Sequence, residues 1–471
     1  MNLPRKIFKN TGIIIAGQFI TKVIGLAVTV YLARYLGGEN FGVYNLIFSF
    51  IGFFAIISKF GMDDILVRDI ARDKGRAAIL LGNAIVMKSC LTLLAIMACI
   101  ASVWMLHYPL PTAKLITVTS VYLAFLTFSQ MYETIFKANL AMEYPTGVNV
   151  FGGLLLSGLI FVGILLKMSL TYFVLVFAFY LIPGLIFLIY ISGKLVRPDF
   201  RVDLKVWRYL FRESWPLIMM SLFVITNNRI DVLFLSKMRT ELDIGYYAAA
   251  YRLTEALGVI PMAVSVSVYP LLSQYYHSQR DSFHRVYQFS MKYIIILAVP
   301  LAIGGTILAA PIIDFLYGSK YAPSAGALAI LCVTEATIFI SYIQTQGFIA
   351  INRQKINTLI MGLMTILSVG FNIALIPRFN FIGSSITTLI SQGFGLMLGF
   401  YFMNKFVGDL KFTLWPVLLS GVLMGLGIYW IDLQVIARIA IGIVIYVAGL
   451  YFFKGINSQD RDLIAKIFRK N

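Results

Sequence analysis

Four basic residues, Lys22, Lys88, Arg229 and Arg252, stand inside stretches that are otherwise almost wholly apolar. Lys22 lies midway along the run from about residue 11 to residue 33. A cation at the centre of a hydrocarbon layer costs at least ~2.5–3.5 kcal/mol unless it faces protein or water. Four of them point to a positive, hydrated cavity within the bilayer and to an anionic ligand that enters it. Gln18 precedes Lys22 by four residues, which puts both on one helix face. That polar stripe suits a diphosphate or an acidic sugar; the plainer alternative is an ion pair with an acid on another helix.

Arg252 and Glu255 are three apart and share a face. Either they neutralise each other, or Arg252 grips phosphate in the bidentate manner of a guanidinium while Glu255 binds a coupling proton or cation. Arg229 and Asp231 are two apart and point to roughly opposite sides of a helix. Arg229 lies about 10 Å from the nearer span end at 1.5 Å per residue, within snorkelling reach of the interface. Asn227 and Asn228 extend its polar patch, and Lys88 falls near the middle of its own span. Glu335, deep in a later span, is either a partner for one of these cations or, like Asp231 and Glu255, a candidate coupling-ion site.

Other chemistries find no support. There is no glycine-rich phosphate loop for ATP hydrolysis. His107, His277 and His284 lack ligand spacing, so neither a metal nor another cofactor is expected. Cys90, Cys99 and Cys332 fall inside apolar runs and read as small core hydrophobes. A membrane glycosyltransferase would place catalytic acids in a sizeable outer loop, and the loops here are short. A non-enzymatic chain is expected.

The elements that must hold these residues are membrane helices. Hydrophobic residues make up 59% of the 471 and charged residues 13%, and the mean hydropathy is +0.85. Soluble domains carry about 25% charge. Runs of roughly twenty apolar residues give an all-α membrane protein of about fourteen spans. Among them are 40–60, 77–105, 214–236, 243–272, 288–312 and 324–350. Lys and Arg in the loops number 27 on the side of both termini and 8 on the other, which places the termini in the cytoplasm of a plasma-membrane protein. The net charge of +18 then follows from loops beside anionic lipid and needs no nucleic acid. Residues 59–76 mix acids and bases as a surface helix does. Pro183, Pro261 and Pro300 fall inside spans and predict kinks, whether for gating or for architecture alone.

The first and seventh spans match at an offset of 203 residues: Phe8-Lys9 with Phe211-Arg212, Leu32 with Leu235, Arg34 with Lys237, Asn40 with Asp243, Gly42 with Gly245 and Tyr44 with Tyr247. They are six spans apart, an even offset that keeps the same orientation, so the halves are parallel repeats with a substrate site expected at their interface. The layout is two pseudo-symmetric six-helix lobes around a central cavity. The lobes are residues 1–193 and 214–403, joined by a cytoplasmic linker at 194–213. Residues 404–471 add two helices and a cytoplasmic tail.

Three segments carry a family resemblance: YLARYLGGENFGVYNLIFSFIGFFAIISKFGMDDILVRDIAR, RIDVLFLSKMRTELDIGYYAAAYRL and NIALIPRFNFIGSSITTLISQ. With the span count, they make the chain similar to the polysaccharide transporter branch of the multidrug/oligosaccharidyl-lipid/polysaccharide exporter superfamily. That resemblance implies a flippase that moves a polyprenyl-diphosphate-linked oligosaccharide outward by alternating access. It implies as partners an anionic lipid-linked glycan, membrane lipids, and glycan polymerases or glycosyltransferases. In related lipid II flippases two extra C-terminal helices form a groove thought to hold the lipid tail, and spans 13 and 14 match them in number and place. Relatives that flip O-antigen units often have twelve spans, so fourteen is a departure. Two alternatives remain at this stage: an ion-coupled multidrug exporter of the same superfamily, whose cationic substrates would favour acids in the cavity, and a non-transporting scaffold for glycan assembly.

Overall fold

A computed structural model describes the backbone of residues 3–408 and 413–455, with every side chain there except residues 3–16, 18, 19 and 277. Among the described residues the chain is helical, with no strand. Eleven helical runs are long and apolar enough to cross a membrane. Two of them are 53 and 54 residues long, roughly 80 Å at 1.5 Å per residue. A hydrocarbon layer is about 30 Å thick, so each must hold two spans. The joints are Gly37 (φ 73°, ψ 169°) in α1 (Leu3–Lys59) and Asn380 (φ 53°) in α15 (Gln354–Val407). Glycine adopts positive φ without steric cost, and Asn is among the few other residues that tolerate it. With the shorter Trp415–Trp430, the spans number fourteen among the described residues.

The chain divides into two compact units, residues 1–248 and 249–471. In the first, α1 is followed by α2 (Met62–Arg72), α3 (Ala77–Met105), α4 (Leu110–Thr119), α5 (Tyr122–Ala138), α6 (Glu143–Leu165), α7 (Leu170–Phe179), α8 (Ile182–Leu195), α9 (Leu204–Met238) and the start of α10 (Glu241–Leu257). The pairs α4/α5 and α7/α8 are single spans interrupted at residues 120–121 and 180–181. Pro183 sits in the first turn of α8, where its missing N–H costs nothing. The first half of α1 packs on α6 through small residues: a Cβ on Gly153 would lie 3.1 Å from Thr21 Cγ2.

The surface helix expected over 59–76 is α2, which buries Met62, Ile65, Leu66 and Ile70 against Leu80 and Ala84 of α3 and Val206, Leu210 and Ile218 of α9. α9 begins ten residues earlier than the expected span. Asp203 caps it by accepting from the Lys205 amide at 2.8 Å, and the Val206/Leu210 pair buries its extension. Residues 199–203 of the expected linker are fastened to α3. The Asn83 side chain donates to the Arg201 carbonyl at 3.0 Å and accepts from the Asp203 amide at 2.8 Å, and the absent side chain of Gly82 admits the carbonyl of Asp199.

The second unit continues α10 and adds α11 (Val259–Ser278), α12 (Arg280–Ile307), α13 (Ala309–Tyr317), α14 (Ser324–Ala350), α15, α16 (Trp415–Trp430) and α17 (Val435–Phe452). Its core joins Tyr287, Met291 and Ile294 of α12 to Phe339 and Ile343 of α14 and to Met424, Ile428 and Tyr446 of the last two helices. Tyr446 donates to the Ile296 carbonyl at 2.8 Å, and Arg438 donates to the Ile428 carbonyl at 2.7 Å, closing the α16/α17 hairpin. Span 9, expected at 288–312, runs instead from Arg280 to Ile307, with Pro300 in its interior. Pro261 lies in the first turn of α11, just after the break at Gly258.

Candidate functional site

The expected cations meet three different fates. Lys22 is exposed on α1. Its neighbour Thr21 turns toward Gly153 of α6, so Lys22, about 100° further round the helix, points away from that seam. The side chain of Gln18 lies outside the described residues.

Lys88 is enclosed. Its side chain is 0% exposed, and its ammonium is bound to the carboxylate of Asp63 at the start of α2. The expectation that Lys88 lines open space does not hold, because a desolvated ammonium requires a close counter-charge and Asp63 supplies it. Lys88 fastens α2 to α3. Around this pair lie charges that sequence reasoning passed over. Glu133 of α5 accepts from the Asn149 side chain at 3.2 Å and pairs with Lys137 at 3.8 Å, and Lys59 is electrostatically coupled to Asp63, Lys88, Glu133 and Lys137. The available signal was Glu133 near the end of the apolar run expected to span at 114–134, but no spacing rule joins residues 59, 63, 88 and 133.

Further along the same unit, Arg229 is half-buried and Asp231 is 2% exposed. The carboxylate of Asp231 accepts a hydrogen bond from the buried Tyr247 hydroxyl at 2.8 Å, tying α9 to α10. In the sequence Tyr247 stands out as the repeat counterpart of Tyr44 and, with Tyr246 and Tyr251, as an aromatic that could touch sugar rings; its bond to Asp231 is not legible there.

In the second unit the structure pairs two of the expected residues and places a third beside the helix break that follows them. Arg252 Nη1 donates to Glu255 Oε2 at 3.1 Å, the i,i+3 pair anticipated from spacing, and their side chains remain 27% and 31% exposed. Three residues on, the helix breaks at Gly258, whose amide bonds the Glu255 carbonyl at 3.3 Å. A Cβ on Gly258 would lie 3.7 Å from Glu335 Oε1. Glu335 is 6% exposed on α14. The guanidinium thus pairs with one part-exposed carboxyl, and a second, buried carboxyl stands beside the helix break that follows. Such a group can exchange an anion for the partner carboxylate of Arg252, or take up a proton or small cation. No cluster of three or more His, Cys, Asp or Glu side chains suited to a metal occurs among the described residues.

Known proteins place this architecture. Residues 7–276 match the family described as polysaccharide biosynthesis protein, and residues 216–377 match the MatE family. A relative in Haloferax volcanii, described as a probable low-salt glycan biosynthesis flippase, is 23% identical over 86% of this chain and 88% of its own length. Among solved structures, the lipid II flippase MurJ in an inward closed conformation superposes with a TM-score of 0.80 at 18% identity, covering 95% of this chain and 99% of that one. An inward-facing multidrug transporter of the MATE family gives a TM-score of 0.66 at 18% identity, covering 83% and 96%. At that identity these structures speak for the fold. Because the first family match covers more than half of the 471 residues, this multi-pass membrane chain belongs to the polysaccharide biosynthesis protein family, within the multidrug/oligosaccharidyl-lipid/polysaccharide exporter superfamily.

Proposed function

We propose that the chain is a flippase for a polyprenyl-diphosphate-linked, anionic oligosaccharide. The observation that carries this reading is the exposure of Lys22 in the middle of an apolar helix long enough to span a membrane. Facing lipid it would cost at least ~2.5–3.5 kcal/mol, whereas facing a diphosphate in a hydrated path it is stabilising. The flippase named among the relatives and the fold shared with the lipid II flippase support the same substrate class.

Lys22, with Gln18 one turn away, meets the head group. Arg252, part-exposed, exchanges Glu255 for phosphate as the head group arrives, and Arg229 adds a third positive charge. The polyprenyl tail stays in lipid. The termini lie in the cytoplasm of an inner membrane, with lobes at 1–193 and 214–403 that alternate in access, and the chain works beside the glycosyltransferases or polymerases of its glycan. Each negative charge moving outward across an inside-negative membrane gains about 2.3 kcal/mol per 100 mV. Asp231, Glu255 and Glu335 are the groups through which a proton or cation gradient adds to that drive. The test is reconstitution in liposomes with a fluorescent polyprenyl-diphosphate sugar and a dithionite quench. The expected result is protein-dependent loss of protection of the inner-leaflet lipid; a folded protein that flips no such lipid would overturn the reading.

A further inference from the structure

The sequence repeat returns in space as a reciprocal contact. α1 resumes after Gly37 and α10 starts at Glu241, and the opening turns of these two segments cross at glycines. A Cβ on Gly42 would overlap the carbonyl oxygen of Glu241 and lie 3.0 Å from the amide nitrogen of Gly245. A Cβ on Gly245 would overlap the carbonyl oxygen of Gly38 and lie 3.2 Å from its Cα. Positions 42 and 245 correspond at the 203-residue offset, and so do 38 and 241. Each glycine therefore meets the carbonyl four residues before the other, as in a two-fold, self-complementary interface.

Neither glycine has a positive φ, so no turn requires them; the close approach does. A second tie lies at the same end of α9. Lys237 donates to the Leu106 carbonyl at 2.6 Å and sits 3.3 Å over the Tyr108 ring, whose hydroxyl bonds Ser236 at 2.7 Å.

We propose that Gly42 and Gly245 are the positioning residues of the gate that closes the outer end of the transport path. With hydrogen at both Cα atoms, the two helices reach backbone contact and seal. With a methyl group at either, the sealed arrangement is sterically forbidden and the population moves to the open one. The inference rests on the flippase reading, since only alternating access needs a reversible seal at this end.

The test uses Ala248→Cys, one turn beyond Gly245 and 4% exposed, in a full-length chain with Cys90, Cys99 and Cys332 replaced by alanine. Labelling by an impermeant maleimide added outside should rise at least about tenfold with Gly42→Ala or Gly245→Ala. It should stay unchanged with Gly52→Ala, where an added Cβ meets nothing within 4 Å. Unchanged labelling in the first two variants, or an equal rise in all three, would overturn the proposal. As a check that does not depend on how the alanine variants fold, the pair Gly38→Cys/Leu242→Cys should cross-link on oxidation, abolish flipping, and recover on reduction. Full-rate flipping while cross-linked would also overturn it. Labelling needs no substrate, so a gate that responds in a protein that flips nothing would refute only the flippase reading.

Discussion

The ammonium of Lys88, sealed from solvent in α3, is held by the carboxylate of Asp63, 25 residues earlier at the start of α2. A charge that looked like a ligand for something mobile is instead a fastening between a surface helix and a span. The same residue type at Lys22 remains exposed. What separates the two is solvent access, open at Lys22 and closed at Lys88.

This pairing predicts an asymmetry in stability. Asp63→Asn alone leaves the buried Lys88 ammonium without its partner, at a cost of about 3–5 kcal/mol, and Lys88→Met alone costs less because Asp63 stays 23% exposed. The double variant should be destabilised by much less than the sum, and its thermal midpoint in detergent should recover accordingly. Additive losses in a double-mutant cycle would show the pair to be uncoupled.

For the substrate cations, Lys22→Ala and Arg252→Ala should each slow flipping by at least about tenfold, or ~1.4 kcal/mol, without lowering the thermal midpoint. Lys22→Arg should retain most of the rate, because the charge is kept. A scaffold with no transport role would tolerate both alanines together with normal glycan export.

Tyr247→Phe removes the hydroxyl that donates to Asp231 and nothing else. A buried carboxylate deprived of a donor costs about 1–3 kcal/mol, so the midpoint should fall by a corresponding amount. If Asp231 also takes part in coupling, the same variant should change the dependence of flipping on an imposed ion gradient. An unaltered midpoint would mean that the 2.8 Å contact contributes nothing.

Glu335→Gln keeps the shape at the Gly258 break and deletes the charge. Flipping should continue under a membrane potential but lose its response to a proton or sodium gradient. An unchanged gradient response would remove Glu335 from the coupling group and leave Asp231 and Glu255.

Much of this was legible before any coordinates. α3 and α14 fall at 77–105 and 324–350 as hydropathy alone places them, because a bilayer imposes one length on every span. The Arg252–Glu255 pair follows from a spacing of three on one helix. The early start of α9 was written in the Asp203 cap and the Val206/Leu210 pair, but apolar-run counting does not register an amphipathic turn. Other features depend on tertiary placement. Nothing local joins Lys88 to Asp63, Asp231 to Tyr247, or Glu335 to Gly258. The 203-residue offset identified Gly42 and Gly245 as counterparts, while their mutual contact became visible only in three dimensions.

The central claim is that a membrane-embedded cation recognises the charge of the head group. The most direct measurement compares flipping of a polyprenyl-diphosphate sugar with that of a neutral glycolipid carrying the same sugar and tail, for the wild type and Lys22→Ala in the same liposomes. The wild type should favour the diphosphate by at least about tenfold, and the variant should lose most of that preference by slowing on the diphosphate alone. Equal rates for both lipids in the wild type, or a preference untouched by the substitution, would contradict the account.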